Sequence, residues 1–153
     1  MLLATVRITD RFALSLAARS DLDAVKALLR GCELPSEDVD AHIEDFIVAR
    51  SGGGLAGVIG LEALGTCGLL RSLAARPDVR SMGLGKLLCE SIERHAETKG
   101  VKTLYLLTTG AVEYFSGLGY ARMERELAAP AIRETAEFRH LCPSTATLMV
   151  KQL

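Results

Sequence analysis

The sequence predicts an α/β domain around one mixed, mostly antiparallel sheet flanked by helices. Three observations carry this. Apolar runs of strand length alternate with stretches of helical period, and glycines stand at the junctions between them. No repeat, low-complexity tract or linker interrupts the 153 residues, so a single domain spanning 1–153 is expected. The predicted order is strand, two helices, three antiparallel strands, helix, strand, helix and two strands.

Each element has a local cause. Phe12–Ala17 alternates as a first strand, and Asp21 is placed to cap a helix whose apolar residues are Leu22, Val25, Leu28 and Leu29. A turn after Gly31 leads to a second short helix from about Ser36. Phe46–Ala49 is the next strand, and Ser51–Gly54 a hairpin turn. Leu55–Leu64 and Leu69–Ala75 are two further strands, separated by Gly65–Gly68. A helix from about Gly83 to Lys99 shows Leu84, Leu87, Leu88, Ile92 and Ala96 on one face and charged residues on the other. Gly100 stops it, and Thr103–Thr108 forms a buried strand. Ala111–Leu118 is a short helix ending at Gly119, with a strand from Tyr120. Pro130 starts a short helical turn, and Ala146–Val150 closes the sheet.

With 49% hydrophobic residues, 24% charged and a net charge of −1, the chain is not composed like a disordered or nucleic-acid-coating protein. Without a basic excess, neither nucleic acid nor a membrane surface is an expected partner. No apolar run approaches the roughly 20 residues that span a bilayer. The start, "MLLATVRITDR", lacks the pattern of a signal peptide, so a cytoplasmic protein is expected. Cys32, Cys67, Cys89 and Cys142 form no C-x-x-C pair and have no histidine at metal-ligand spacing. Reduced, largely buried thiols and no metal are the expectation.

The segment Arg76–Ala96, "RPDVRSMGLGKLLCESIERHA", sets two glycines and two cations where a helix begins. A helix N-terminus offers unpaired N–H groups and the positive end of its dipole, which suits phosphate. Gly83 and Gly85 would let a phosphate oxygen approach the backbone, with Arg80 and Lys86 adding charge. A Walker A loop is excluded, because Arg80 stands where its first glycine belongs and Leu87 where its hydroxyl belongs. A Rossmann fingerprint is excluded because Leu88 occupies its third glycine and no acidic residue ends the strand near Thr108. Alone, the segment is either a phosphate cradle or a glycine-softened turn.

"LRSLAARPDVRSMGLGKLL" resembles the acyl-CoA-binding signature of the GNAT N-acetyltransferases: a strand, then R/Q-x-x-G-x-G/A at a helix start. The element order matches that superfamily from Phe12 to Leu153, and "AVEYFSGLGY" resembles its later helix followed by G-[FY]. More narrowly, "LLRSLA", "LYLLTT", "YFSGLGY" and "EFRHLCPSTATLMVKQL" resemble the small acetyltransferases of arsenic-resistance operons. The resemblance implies a GNAT fold with acetyl-CoA as co-substrate, and a homodimer. It implies that Arg80, Met82, Gly83, Gly85 and Lys86 surround the CoA pyrophosphate, and that Leu73 and Ala75 offer backbone groups to the pantetheine arm as an added strand would. Thr108 stands near the place of the family's asparagine, where a hydroxyl can bond a pantetheine amide.

Acetyl transfer needs an unprotonated amine, a stabilised oxyanion and a departing thiolate. Glu62, alone among apolar strand neighbours, is the candidate base; the alternative is a solvent-facing or arginine-paired carboxylate. The family's tyrosine acid falls at Phe115, leaving its neighbour Tyr114 as the candidate donor or else a packing residue. Arg71, Ser72 and Arg133 are the candidate substrate contacts, an arginine fork suiting an amino-acid-like anion. The expected activity is acetylation of a primary amine on a small polar molecule, amino-acid-like and linked to arsenic resistance if the narrower resemblance extends that far. The alternatives are a non-catalytic acyl-CoA-binding domain and a protein-modifying acetyltransferase.

Overall fold

The computed structural model describes residues 11–153. The stretch read for a signal peptide lies almost wholly outside them. Among the described residues, seven strands form one sheet in the order β1-β2-β3-β4-β5-β7-β6. They are β1 (Ala13–Leu16), β2 (Phe46–Ser51), β3 (Gly54–Leu64), β4 (Cys67–Ala75), β5 (Thr103–Thr108), β6 (Ala121–Met123) and β7 (Thr147–Gln152). All neighbouring pairs are antiparallel except β4 with β5. The helices are α1 (Leu22–Gly31), α2 (Leu84–Thr98), α3 (Val112–Gly117) and α4 (Pro130–Arg133). None of the described helices is long and apolar enough to cross a membrane.

The hairpin between β2 and β3 turns on Gly52 and Gly53, whose φ values of 62° and 84° favour glycine. Two layers cover the sheet. On one face α2 buries Leu84, Leu88, Cys89, Ile92 and Ala96 against Ile47, Ile59, Leu61, Leu70 and Leu106. The opposite face carries two separate clusters. Val25 and Leu29 of α1 pack on Phe46, Val48, Val58 and Ala74, while Ile132 of α4 packs on Leu69, Tyr105 and Leu148.

Three local expectations shift. The helix expected from Ser36 is two short 3₁₀ turns, Val39–Ala41 and Ile43–Asp45. The Asp21 side chain does not cap α1; it accepts from the Ala18 N–H at 2.8 Å, at the start of the 3₁₀ turn Arg19–Asp21, and pairs with Arg50 at 2.7 Å. Glu137–Leu141, unassigned in the sequence, is a π turn. Among the cysteines, all four are free, but only Cys89 is fully buried.

Candidate active site

β4 and β5 pair only over Cys67–Leu69 with Thr103–Tyr105, and then diverge. A cleft of ≈ 840 Å³ opens where they part, with Leu73, Thr108, Tyr114, Phe115 and Glu137 on its walls. β4 also bulges there. Ala74 pairs with Val58 and Arg71 with Gly60, so Ser72 and Leu73 together oppose Ile59 alone. Ser72 absorbs the irregularity with φ 61°, and a bulge of this kind leaves backbone groups out of the ladder. Ser72 and Leu73 both line the cleft.

The loop after β4 leads into α2. Gly83 is the N-cap in a left-handed conformation, φ 83°, and no side chain caps the helix, so its first-turn N–H groups are left for a ligand or water. Arg80 is exposed and braces the end of β4, with Nε donating to the Ala75 carbonyl at 3.2 Å and a terminal nitrogen to the Cys32 sulfur at 3.4 Å. Lys86 is exposed, 4.0 Å from Glu90. Met82 packs partly buried on the core. A Cβ on Gly85 would run into the Tyr114 hydroxyl. Thr108 Oγ1 accepts from the Ala111 N–H at 3.0 Å, tying β5 to α3.

Arg71 occupies the gap between the two clusters on the α1–α4 face, and its side chain is fully buried. Its five N–H donors face five oxygens. Nε donates to Ser72 Oγ at 3.0 Å, and the terminal nitrogens reach Asp38 at 2.6 and 2.7 Å and Glu62 at 2.9 Å. Glu137 completes the set at 3.0 Å. His42 stands behind, 3.4 Å from Glu62 and 3.9 Å from Asp38. Burial works against the Arg71 charge, but the surrounding carboxylates outweigh it and raise its pKa. Burial likewise pushes Asp38 upward, yet the Arg71 hydrogen bonds and charge hold it below the usual carboxylate range. Glu137 behaves oppositely. Burial, with Asp38 and Glu62 adding to it against Arg71, raises its carboxyl to about 7. Burial, reinforced by Glu137, pushes the Cys142 thiol up to about 12; its sulfur lies 3.7 Å from Glu137 Oε1. Asp38, His42 and Glu62 bring ligand-type atoms within 4.8 Å of one another, but the Arg71 guanidinium already supplies the cation there.

The acetyltransferase (GNAT) family model matches residues 18–120, about two thirds of the chain. The chain belongs to the GNAT family. An uncharacterized N-acetyltransferase of Chlorobaculum tepidum is 35% identical over 92 residues, covering 59% of this chain and 58% of its own. An amino-acid acetyltransferase of Ectopseudomonas mendocina is 34% identical over 99 residues, covering 62% of this chain and 23% of its own. The GNAT chain thus spans less than two thirds of the length of either curated relative. Among solved structures, N-acetylglutamate synthase from Neisseria gonorrhoeae, complexed with coenzyme A and N-acetyl-glutamate, superposes with a TM-score of 0.82 at 23% identity. The superposition covers 93% of this chain and 35% of that one. A GNAT-family acetyltransferase from Staphylococcus aureus gives 0.74 at 15% identity, covering 93% and 99%. The fold expected from the sequence is therefore the GNAT fold.

The residues singled out in this GNAT chain divide into three groups. Leu73, Ser72, Thr108 and Tyr114 line the cleft, as does Arg71 with its polar atoms committed. Arg80, Met82, Gly83, Gly85 and Lys86 form the loop and first turn of α2, which meets the cleft through the Gly85–Tyr114 contact. Glu62 and Ala75 are not on the cleft wall, and Arg133 is exposed away from it. Glu62 adopts the arginine-paired alternative considered from sequence. Sequence reasoning missed Asp38 and Glu137, which lie 33 and 66 positions from Arg71 in the chain. The available signal was Arg71 itself: a cation in an apolar strand demands buried anions from somewhere.

Proposed function

We propose that the chain transfers an acetyl group from acetyl-CoA to the primary amine of a small polar molecule, by direct attack in a ternary complex. The observation that carries this is the parting of β4 from β5 beside an uncapped helix N-terminus. The gap leaves a strand edge for the pantetheine amides, and the loop Arg80–Lys86 offers N–H groups and cations for the diphosphate. Relatives named as acetyltransferases, and a structural neighbour crystallised with coenzyme A, support the same reading.

In this reaction Leu73 and Ala75 contribute backbone groups to the pantetheine arm, and Thr108 holds the junction of β5 with α3. The thiol of CoA, with a pKa of ~8.5, departs as thiolate without a dedicated acid. Tyr114, whose hydroxyl rests against Gly85, serves the diphosphate end. Ser72 faces the acceptor. Arg71 is a positioning residue, because a substrate carboxylate would have to displace one of its own anions. An amino-acid-like acceptor in the manner of the amino-acid acetyltransferase relatives therefore needs another cation, and Arg133 would have to swing inward to supply it. The link to arsenic resistance rests on motif resemblance alone.

Release of free thiol from acetyl-CoA, followed across a panel of amino acids and simple amines, tests the reading; no turnover together with no acetyl-CoA binding would sink it. The alternative, a non-catalytic acyl-CoA-binding domain, is favoured by the buried Phe115 at the family's tyrosine position. It requires CoA to raise the melting temperature while every amine leaves thiol release at background.

A further inference from the structure

We propose that Glu137 is the general base of this reaction: its carboxylate, on the cleft wall beside Arg71, accepts the proton lost by the attacking amine. This rests on the acetyltransferase reading and adds a residue that neither the fold nor the family motif supplies.

Among the described residues, five carboxylates stand in or near the cleft, and their surroundings sort them. Asp38 is held by both terminal nitrogens of Arg71 at 2.6 and 2.7 Å, off the cleft wall. Glu62 is also off the wall, bonded to Arg71 at 2.9 Å and 3.4 Å from His42. Glu33 and Glu37 are on the wall but exposed, where water competes for them. Glu137 alone is both on the wall and buried, at 4% exposure. Its two oxygens are fixed from different sides, Oε2 by Arg71 at 3.0 Å and Oε1 by the Cys142 thiol at 3.7 Å. A carboxylate oxygen has two lone pairs, so the weak thiol contact leaves Oε1 able to accept a further proton.

Every charged neighbour bears on that proton. Arg71 on β4 favours the anion, while Asp38 before the 3₁₀ turns and Glu62 on β3 oppose it; Cys142 donates from beyond the π turn, and His140 shares the cleft wall. With burial dominant, the carboxyl lies at about 7, where a base is both largely available and strong enough to be useful. Glu137 takes a proton from the bound ammonium, which frees the nitrogen lone pair. The neutral nitrogen attacks the acetyl carbonyl carbon, forming the C–N bond and an oxyanion. Collapse of the oxyanion breaks the C–S bond, CoA leaves as thiolate, and a second proton of the nitrogen passes through water to that thiolate. Glu137 returns its own proton to solvent, so that amide, free CoA thiol and one solvent proton balance the ammonium and thioester consumed.

The test compares the wild type with Glu137→Gln and Glu137→Asp across neutral pH, using a weakly basic primary amine and hydroxylamine, which is already unprotonated there. The expected wild-type kcat/KM rises with pH on a limb near 7, and Glu137→Gln loses that limb and about 100-fold in kcat with acetyl-CoA affinity unchanged. Hydroxylamine should recover most of the loss. Glu137→Asp should keep the limb at a reduced rate. If Glu137→Gln keeps its limb or loses as much with hydroxylamine, the assignment is overturned; if Gln fails to fold, an Asp variant without the limb overturns it instead. A wild type that acetylates no amine removes the acetyltransferase reading itself, which is a different failure.

Discussion

The Tyr114 hydroxyl and Gly85 meet where α3 leans on the first turn of α2, and only a residue without a Cβ leaves room for that contact. Tyr114 is 44% exposed, so its ring can swing outward when crowded. Gly85 lies inside α2, where alanine is the better helix former by up to about 1 kcal/mol. Gly85→Ala should therefore leave the melting temperature level or slightly higher. CoA affinity should nevertheless fall about tenfold, the loss of one good hydrogen bond or close approach. Calorimetric titration with CoA beside a thermal melt separates the two effects.

Tyr114→Phe isolates the hydroxyl. Steady-state kinetics should show a weaker apparent affinity for acetyl-CoA and a kcat nearly unchanged at saturation, because a thiolate of pKa ~8.5 leaves unaided. A drop of about 100-fold or more in kcat would instead make Tyr114 the acid.

Arg71→Met leaves Glu62 and Glu137 buried and Asp38 half-buried beside them, with no guanidinium among the three. Breaking a buried charge network from one side costs about 3–5 kcal/mol. Urea unfolding should record that loss, and it should shrink in acid as the orphaned carboxylates take up protons.

The pH dependence of stability follows from opposite shifts in that cluster. Asp38, held below 3.8, contributes stability that is present above its ordinary pKa and lost as the pH falls through its lowered value. Glu137, raised from 4.5 to about 7, contributes stability that is full below 4.5 and lost as the pH rises through about 7. Urea midpoints of the wild type should show a decline between pH about 5 and about 8 that Glu137→Gln abolishes.

Gly60→Ala probes packing under the site. Its Cβ would overlap the ring of Phe46, which is fully buried under α1 and cannot retreat to solvent. A destabilisation of about 1–3 kcal/mol is expected, read by urea unfolding with CoA absent.

The sheet, the hairpin and α2 were legible because each is written in consecutive residues: Gly52-Gly53 for the turn, Leu84, Leu88 and Ile92 for the buried stripe. The diphosphate loop was legible for the same reason. Glu62 opposite Leu69 and Arg71 opposite Gly60 are diagonal neighbours on one face, so even their pairing follows once the register is known. The rest of the cluster was not legible. Asp38 comes from an irregular segment after α1 and Glu137 from a π turn, and neither has a periodicity that announces where it points. The bulge at Ser72 was hidden too, since a serine at φ 61° carries no glycine to mark it.

Three residue pairs join β4 to β5, and they are the backbone seam between the first four strands and the last three. If the pantetheine arm fills the gap beyond them, the cofactor is a missing rung of the molecule's own ladder. Loading then stiffens the seam: in a chain emptied of CoA, the backbone ladder beyond those three pairs is open, and it is the packing of α2 across Leu70 and Leu106 that spans it. Turnover, which must release CoA each cycle, would repeatedly loosen and re-splice the protein along that line.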